Sequence, residues 1–125
     1  MEHAISWFEI PVSDMERATT FYETILDIKL ASLDMGDEFK MATFPGDMES
    51  VSGALVFNDS WYKPSSTHGP LVYLNANPDI QVVLDRIEPA GGTITIPKRQ
   101  ISPEHGHMAV FEDSEGNRIA LHSNH

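Results

Sequence analysis

The sequence has no cysteine and few basic residues, and both absences limit what the protein can be. Without cysteine the chain cannot form disulfides, bind zinc through thiolates or use a thiol nucleophile. Eight Lys and Arg residues stand against 19 Asp and Glu residues, which gives a net charge of -11. Such a chain would be repelled by the phosphates of nucleic acids and by anionic membranes. We therefore expect neither nucleic acid nor a membrane among its partners.

Long hydrophobic runs and targeting signals are also missing. No apolar run approaches the ~20 residues that a membrane-spanning helix needs. The opening residues, Met-Glu-His-Ala-Ile-Ser-Trp, lack the basic stretch that begins a secretory signal. Together with the lack of cysteine, this predicts a cytoplasmic protein. The 125 residues, of which 41% are hydrophobic, have the size and composition of one globular domain with one core.

The first half of the chain has the pattern of a strand, a helix and three further strands. Residues 4–12 are apolar and β-prone, and Ser13 with Glu16 forms a capping box that predicts a helix start. The helix should end near Asp27. Its apolar face recurs at helical spacing and comprises Ala18, Phe21, Tyr22, Ile25 and Leu26. The strand-like runs that follow are 28–34, 38–45 and 53–58.

The second half repeats this order after a linker at residues 59–69, which is rich in Ser, Pro and Gly. A strand at 70–76 precedes a helix that we expect to be capped by Asn77, with Pro78 at its first position. Gly91 should end this helix. Its apolar face comprises Ile80, Val83, Leu84 and Ile87. The later strands are predicted at 93–98, 106–112 and 117–122.

The repeated order predicts one α+β domain over residues 1–125, built from two tandem βαβββ modules. The modules are residues 1–58 and 70–125. The helix starts at Asp14 and Asn77 are 63 positions apart, and this sets the expected spacing of the repeat. Each module would form a sheet with a helix on one side, so that the two sheets together enclose a cup. A cup of this kind is a default ligand site.

Two motifs are typical of one superfamily. Residues 8–23 read FEIPVSDMERATTFYE, and residues 110–121 read VFEDSEGNRIAL after Ala90-Gly91-Gly92. In this order and separation they resemble the opening and closing motifs of the glyoxalase and bleomycin-resistance proteins of the vicinal-oxygen-chelate superfamily. The resemblance covers nearly the whole chain and is strongest to the branch described as related to lactoylglutathione lyase. It implies the two-module fold, a small-molecule ligand or substrate, and a homodimer.

The resemblance also carries a set of metal-binding positions onto this sequence. In metal-dependent members, four His, Glu or Gln side chains line the cup and hold a divalent metal. The corresponding residues here are Trp7, Val56, Pro70 and Ala120, and none of these side chains can ligate a metal. A shift of one residue along the first or last strand restores no His or Glu. The resemblance therefore implies no metal cofactor and argues against glyoxalase or extradiol dioxygenase activity.

Polar and aromatic residues near these positions are the remaining candidates. By strand alternation Glu9 shares a face with Trp7, where its carboxylate would serve as a general base, anchor a cation or simply pair with a neighbour. His122 shares a face with Ala120, at the cup rim or at the surface. The expected ligand-binding set is Trp7, Glu9, Val56, Pro70, Ala120 and His122, with Glu9 as the candidate catalytic residue.

Three other groups allow both a functional and an ordinary interpretation. His105 and His107 would chelate a metal if both lay on one strand, but they fall at a loop–strand junction. His68 lies in the linker. Trp61 and Tyr62 would cover the cup, anchor a dimer or pack onto their own module.

Three functions follow from these observations. The first is a metal-free protein that binds a small organic molecule, and the charge of -11 would suit a cationic one. The second is an enzyme of the same superfamily, a lyase, isomerase or dioxygenase, with a non-standard site that uses Glu9. The third is a non-catalytic subunit of an assembly, which would show a broad exposed apolar patch around Trp61 and Tyr62.

Overall fold

The structure, a computed structural model, describes residues 3–34, 36–47 and 49–125. The first module contains β1 (Trp7–Pro11), α1 (Met15–Leu26), β2 (Ala31–Asp34), β3 (Lys40–Thr43) and β4 (Ser52–Phe57). The second contains β5 (Tyr73–Asn75), α2 (Ile80–Ala90), β6 (Thr93–Ser102), β7 (Gly106–Glu112) and β8 (Arg118–Ser123). The strands form two four-stranded sheets in the orders β1-β4-β3-β2 and β5-β8-β7-β6. The predicted α+β fold of two βαβββ modules is confirmed.

Both helices bury the faces that the sequence predicts, but the predicted caps are wrong. Asp14, not Ser13, caps α1, because its carboxylate accepts a hydrogen bond from the Arg17 N–H at 3.1 Å. Asp79, not Asn77, caps α2 by accepting from the Gln81 N–H at 2.9 Å. The Asn77 side chain instead accepts from the backbone N–H of Asn124, so Pro78 lies before the helix rather than at its first position. The C-caps at Asp27 and Gly91 agree with the prediction.

The strands depart from the prediction mainly at their ends. The run 28–34 forms a strand only from Ala31, and the run 70–76 contributes only Tyr73–Asn75. In contrast, β6 continues to Ser102, past the predicted end at residue 98. A strand ends where its hydrogen bonding to a neighbouring strand ends, and the local amino-acid composition does not predict that position.

The strand register changes the spacing of the internal repeat. Val12 donates its N–H to the Val56 carbonyl, and Ala76 makes the equivalent bond to the His122 carbonyl. The first strands of the two modules are therefore 64 positions apart, and the last strands are 66 apart. The spacing of 63 predicted from the helix starts is wrong, because Asn77 is not the cap of α2.

One hydrophobic core joins the modules. It contains the buried faces of both helices and the inward faces of both sheets, and Phe21 packs against Phe111 with ring centroids 6.0 Å apart. Burying each large apolar side chain stabilises the fold by about 1.5–3 kcal/mol. The faces of the sheets that point away from the helices, here called the open faces, lie outside this core.

The turn between β7 and β8 fastens the second module onto α1. The Tyr22 hydroxyl donates to the Asp113 carboxyl at 2.6 Å, and Asn117 Nδ2 donates to the Pro11 carbonyl at 2.7 Å. Burial, together with the Asp113 carboxyl, raises the pKa of Tyr22 well above its ordinary value, so the phenol remains a donor. These bonds fix the position of β8 relative to β1.

The side chain of Glu115, in the same turn, has no exposed surface and reaches the first turn of α1. It receives hydrogen bonds from the Arg17 guanidinium at 2.6 Å and from the backbone N–H groups of Ser13 and Asp14. Burial opposes ionisation of this carboxyl, but these donors outweigh burial and lower the pKa of Glu115. The ionised carboxylate therefore links the two modules.

In the part of the chain that the structure describes, no helix combines the length and the apolar character needed to cross a membrane.

Candidate functional site

The open face of the first sheet holds an exposed carboxylate between two aromatic side chains. Glu9 accepts a hydrogen bond from the Tyr62 hydroxyl at 2.7 Å on one oxygen. Its other oxygen accepts from the Trp7 indole N–H at 3.2 Å. Both donors are neutral, and no Lys or Arg nitrogen among the described residues lies within 4.0 Å of this carboxylate. The negative charge of Glu9 is therefore not balanced by a neighbouring cation.

Strand alternation explains why these groups meet. In β1, Phe8 and Ile10 face the helix and pack into the core, so Trp7 and Glu9 face the opposite way. Trp7 is 45% exposed although it belongs to a strand. An exposed Trp beside an exposed Glu offers both an aromatic surface and a charge to a ligand.

The linker supplies the third member of the site. Tyr62 crosses the open face and contacts Phe39 edge to face, with ring centroids 6.3 Å apart. The hydrogen bond it donates to Glu9 raises the pKa of the Tyr62 phenol. Trp61, its neighbour, is 85% exposed. The two linker aromatics therefore point to different environments and do not form one apolar patch.

Of the other predicted ligand-binding residues, Val56 lies on the open face of β4 beside β1, where it pairs with Pro11, and Pro70, Ala120 and His122 belong to the second module. Val56 and Ala120 are fully buried in their sheets, and Pro70 is exposed just before β5. His122 is half-buried on the second sheet and donates its Nε2–H to the His105 carbonyl at 2.6 Å. The structure thus brings Trp7 and Glu9 together, and the roles assigned to the remaining residues stay predictions.

The register also revises the positions that correspond to the superfamily's metal ligands. With first strands 64 positions apart, Leu71 rather than Pro70 is the counterpart of Trp7. With last strands 66 apart, the counterpart of Ala120 is Ala54, while Val56 matches His122. Because Trp7, Leu71, Ala54 and Ala120 carry no donor that suits a divalent metal, these residues do not fit the metal site of metal-dependent relatives.

Of the two predicted chelating histidines, His105 has an ordinary hydrogen-bond partner, whereas the buried Nδ1 of His107 has none among the described residues. His105 Nδ1 lies 2.9 Å from Ser102 Oγ in the turn before β7, and His107 lies in β7 itself. Among the described residues, no three or more His, Cys, Asp or Glu side chains come together as a metal site would need.

The bond between Tyr62 and Glu9 is the feature that sequence reasoning missed. The two residues are 53 positions apart, and nothing in the composition around either one indicates that they meet. The only available signal was the presence of large aromatic residues in a loop, which suggests a covering role without naming what is covered.

Comparison with known proteins decides the family. The profile of the glyoxalase/bleomycin resistance protein/dioxygenase superfamily matches residues 4–121. The chain belongs to this superfamily. A glyoxylase-like domain-containing protein of Didymella fabae is 29% identical over 121 residues, which cover 94% of this chain and 91% of that protein.

Solved structures of the superfamily show the same fold. A glyoxalase/bleomycin resistance protein from a Streptomyces strain superposes with a TM-score of 0.70 at 26% identity, over 96% of this chain and all (100%) of that one. An antibiotic binding protein from the same strain has a TM-score of 0.64 at 24% identity, over 98% and 96% of the chains. Glyoxalase I from Zea mays has a TM-score of 0.67 at 22% identity. This chain covers only 45% of the maize chain, while 95% of its own length is matched.

Proposed function

We propose that this member of the superfamily binds a small organic cation in the cup between its two modules, without a divalent metal. The observation that carries the proposal is the unbalanced Glu9 carboxylate on the open face of the first sheet. A ligand cation would supply the missing counter-charge. The net charge of -11 would also attract a cationic ligand from solution.

Aromatic rings beside Glu9 support the same ligand class. A cation within about 6 Å of a Trp or Tyr ring face is attracted by the ring quadrupole, by roughly 0.5–2 kcal/mol. Trp7 and Tyr62 are both hydrogen-bonded to the carboxylate, so their rings lie next to the charge that would hold the cation. The antibiotic binding protein among the structural relatives is consistent with a binding role for the fold.

Titration with benzyltrimethylammonium tests this proposal. We expect Glu9→Gln to weaken binding roughly tenfold or more, because the substitution keeps the side-chain shape and removes the charge. Glu88→Gln is the matched control, since Glu88 is exposed on α2 and its substitution removes the same single negative charge. NMR shifts of the Trp7 indole N–H would locate the probe. Equal affinities of the two variants, or preference for neutral benzyl alcohol, would overturn the proposal.

The geometry also supports a second candidate, an enzyme in which Glu9 is a general base. Its carboxylate is exposed and receives a short hydrogen bond from Tyr62, which is an arrangement able to accept and pass on a proton. The fold alone does not select a lyase, isomerase or dioxygenase reaction. A substrate whose turnover is lost in Glu9→Gln while binding is retained would favour this candidate over simple binding.

We also propose that the chain acts as a homodimer. β1 and β5 are edge strands of their sheets, and no strand of one sheet contacts a strand of the other within the described residues. Sedimentation velocity should show a dimer, and a monomer at every protein concentration would contradict it.

A further inference from the structure

A groove of about 1110 Å³ lies between the two modules, away from Glu9. One wall comes from the chain before β1 and from the turn between β3 and β4. The other comes from β5 and the first turns of α2, and the end of α1 contributes Leu26 and Asp27. Phe8, Phe44 and Val82 make much of its surface apolar.

The groove is open because the two modules contact each other asymmetrically. On one side the β7–β8 turn docks on α1 through Asp113 and Glu115. Counted back from the last strand of each module, Asp47 holds the position of Asp113. Its carboxylate, however, accepts only from the nearby Glu49 N–H and from Ser50 among the described residues. The β7–β8 turn thus packs against α1, whereas the β3–β4 turn does not pack against α2 in the same way. The groove is the space left beside α2.

Arg86 places a positive charge in this space. Counted from the helix caps, it occupies the position of Phe21, which is fully buried in the first module. Arg86 is half-buried and donates from Nη1 to the Ile25 carbonyl at 3.3 Å. No carboxylate among the described residues lies within 4.0 Å of it. Of the five N–H donors of a guanidinium, one is used in these contacts.

Among the described charged residues that line the groove, Arg86 is the group able to bind an anion. Arg86 is the one Lys or Arg among the described lining residues. The Asp79 carboxylate is paired with Lys98 Nζ at 2.9 Å, so its charge is balanced. Asp27 is exposed at the end of α1, and His3 lies at the rim near the start of the described chain.

We propose that the groove binds an amphipathic organic carboxylate, with its carboxylate on Arg86 and its hydrocarbon part along the apolar walls. A guanidinium fork matches a carboxylate in a bidentate geometry, and partial burial strengthens this contact. The site is separate from the Glu9 face and takes a ligand of the opposite charge.

Binding of 2-naphthoate, compared with neutral 2-naphthamide, tests the proposal on the wild-type protein. The acid should bind roughly tenfold more tightly than the amide, because only the acid forms charge-assisted hydrogen bonds. It should shift the NMR signals of the Arg86 Nε–H and of the Val82 and Val83 amides. Equal affinity, or shifts confined to other parts of the chain, would overturn the proposal.

Variants separate the role of Arg86 from general charge attraction. Arg86→Gln should abolish the preference for the acid, and Arg86→Lys should retain part of it. Arg99→Gln, which makes the same substitution at an exposed position of β6, should leave the preference intact. If Arg86→Gln does not fold, the wild-type comparison and the Lys variant still decide the question. An Arg99→Gln variant that loses the preference equally would contradict a site at Arg86.

Discussion

Replacing Asp113 by Ala should lower the free energy of unfolding by about 3 kcal/mol, since it leaves several buried donors without an acceptor. Asp113 is 4% exposed and accepts hydrogen bonds from the Tyr22 hydroxyl and from the backbone N–H groups of Glu115 and Asn117. It also accepts from Asn117 Nδ2. The Tyr22 residue is fully buried, so bulk solvent does not reach its hydroxyl in the folded protein. Urea unfolding would measure the loss.

Asp47→Ala is the matched control for Asp113→Ala. Asp47 holds the equivalent position in the first module and accepts from the N–H groups of Glu49 and Ser50, but it is exposed. Water can therefore satisfy the donors that its removal releases, and we expect a much smaller loss of stability. If the two variants lost the same stability, docking of the β7–β8 turn on α1 would not be what makes Asp113 important.

Gly106→Ala should also destabilise the protein by about 3 kcal/mol, for two separate reasons. Gly106 has φ of 78°, a left-handed conformation that costs Ala about 1 kcal/mol. In addition, a Cβ at this position would overlap the Ser123 carbonyl oxygen. Ser123 is buried and accepts the Ile80 N–H at the start of α2, so a shift of its backbone would disturb the helix as well.

Gly116→Ala separates the two reasons. Gly116 has φ of 85°, but an added Cβ would lie no closer than 3.9 Å to its nearest neighbour, Glu112 Oε1. Only the conformational cost remains there, so thermal or urea unfolding should show a loss of about 1 kcal/mol. Similar losses for the two variants would mean that the backbone at Ser123 moves aside without cost.

The Glu9 site shows how far sequence reasoning reaches. Strand alternation places Glu9 and Trp7 on one face, and the structure has them hydrogen-bonded there. It does not identify Tyr62, because a linker residue 53 positions away is brought in by the path of the loop. The Arg86 groove is even less predictable from the sequence. The apolar spacing of α2 predicts which residues are buried, but it says nothing about an arginine beside that stripe.

What the sequence determined by itself was local: the order of strands and helices, the buried faces of α1 and α2, and the two motifs that resemble the superfamily. Apolar periodicity and turn residues are signals that extend over only a few neighbouring positions, so they can be recognised in a single sequence. Only the tertiary structure decided the caps at Asp14 and Asp79, the spacing of the repeat and the unequal docking of the two turns. Each of these depends on which of several chemically similar partners comes within hydrogen-bond distance. That choice is made by the packing of distant segments, which no local pattern contains.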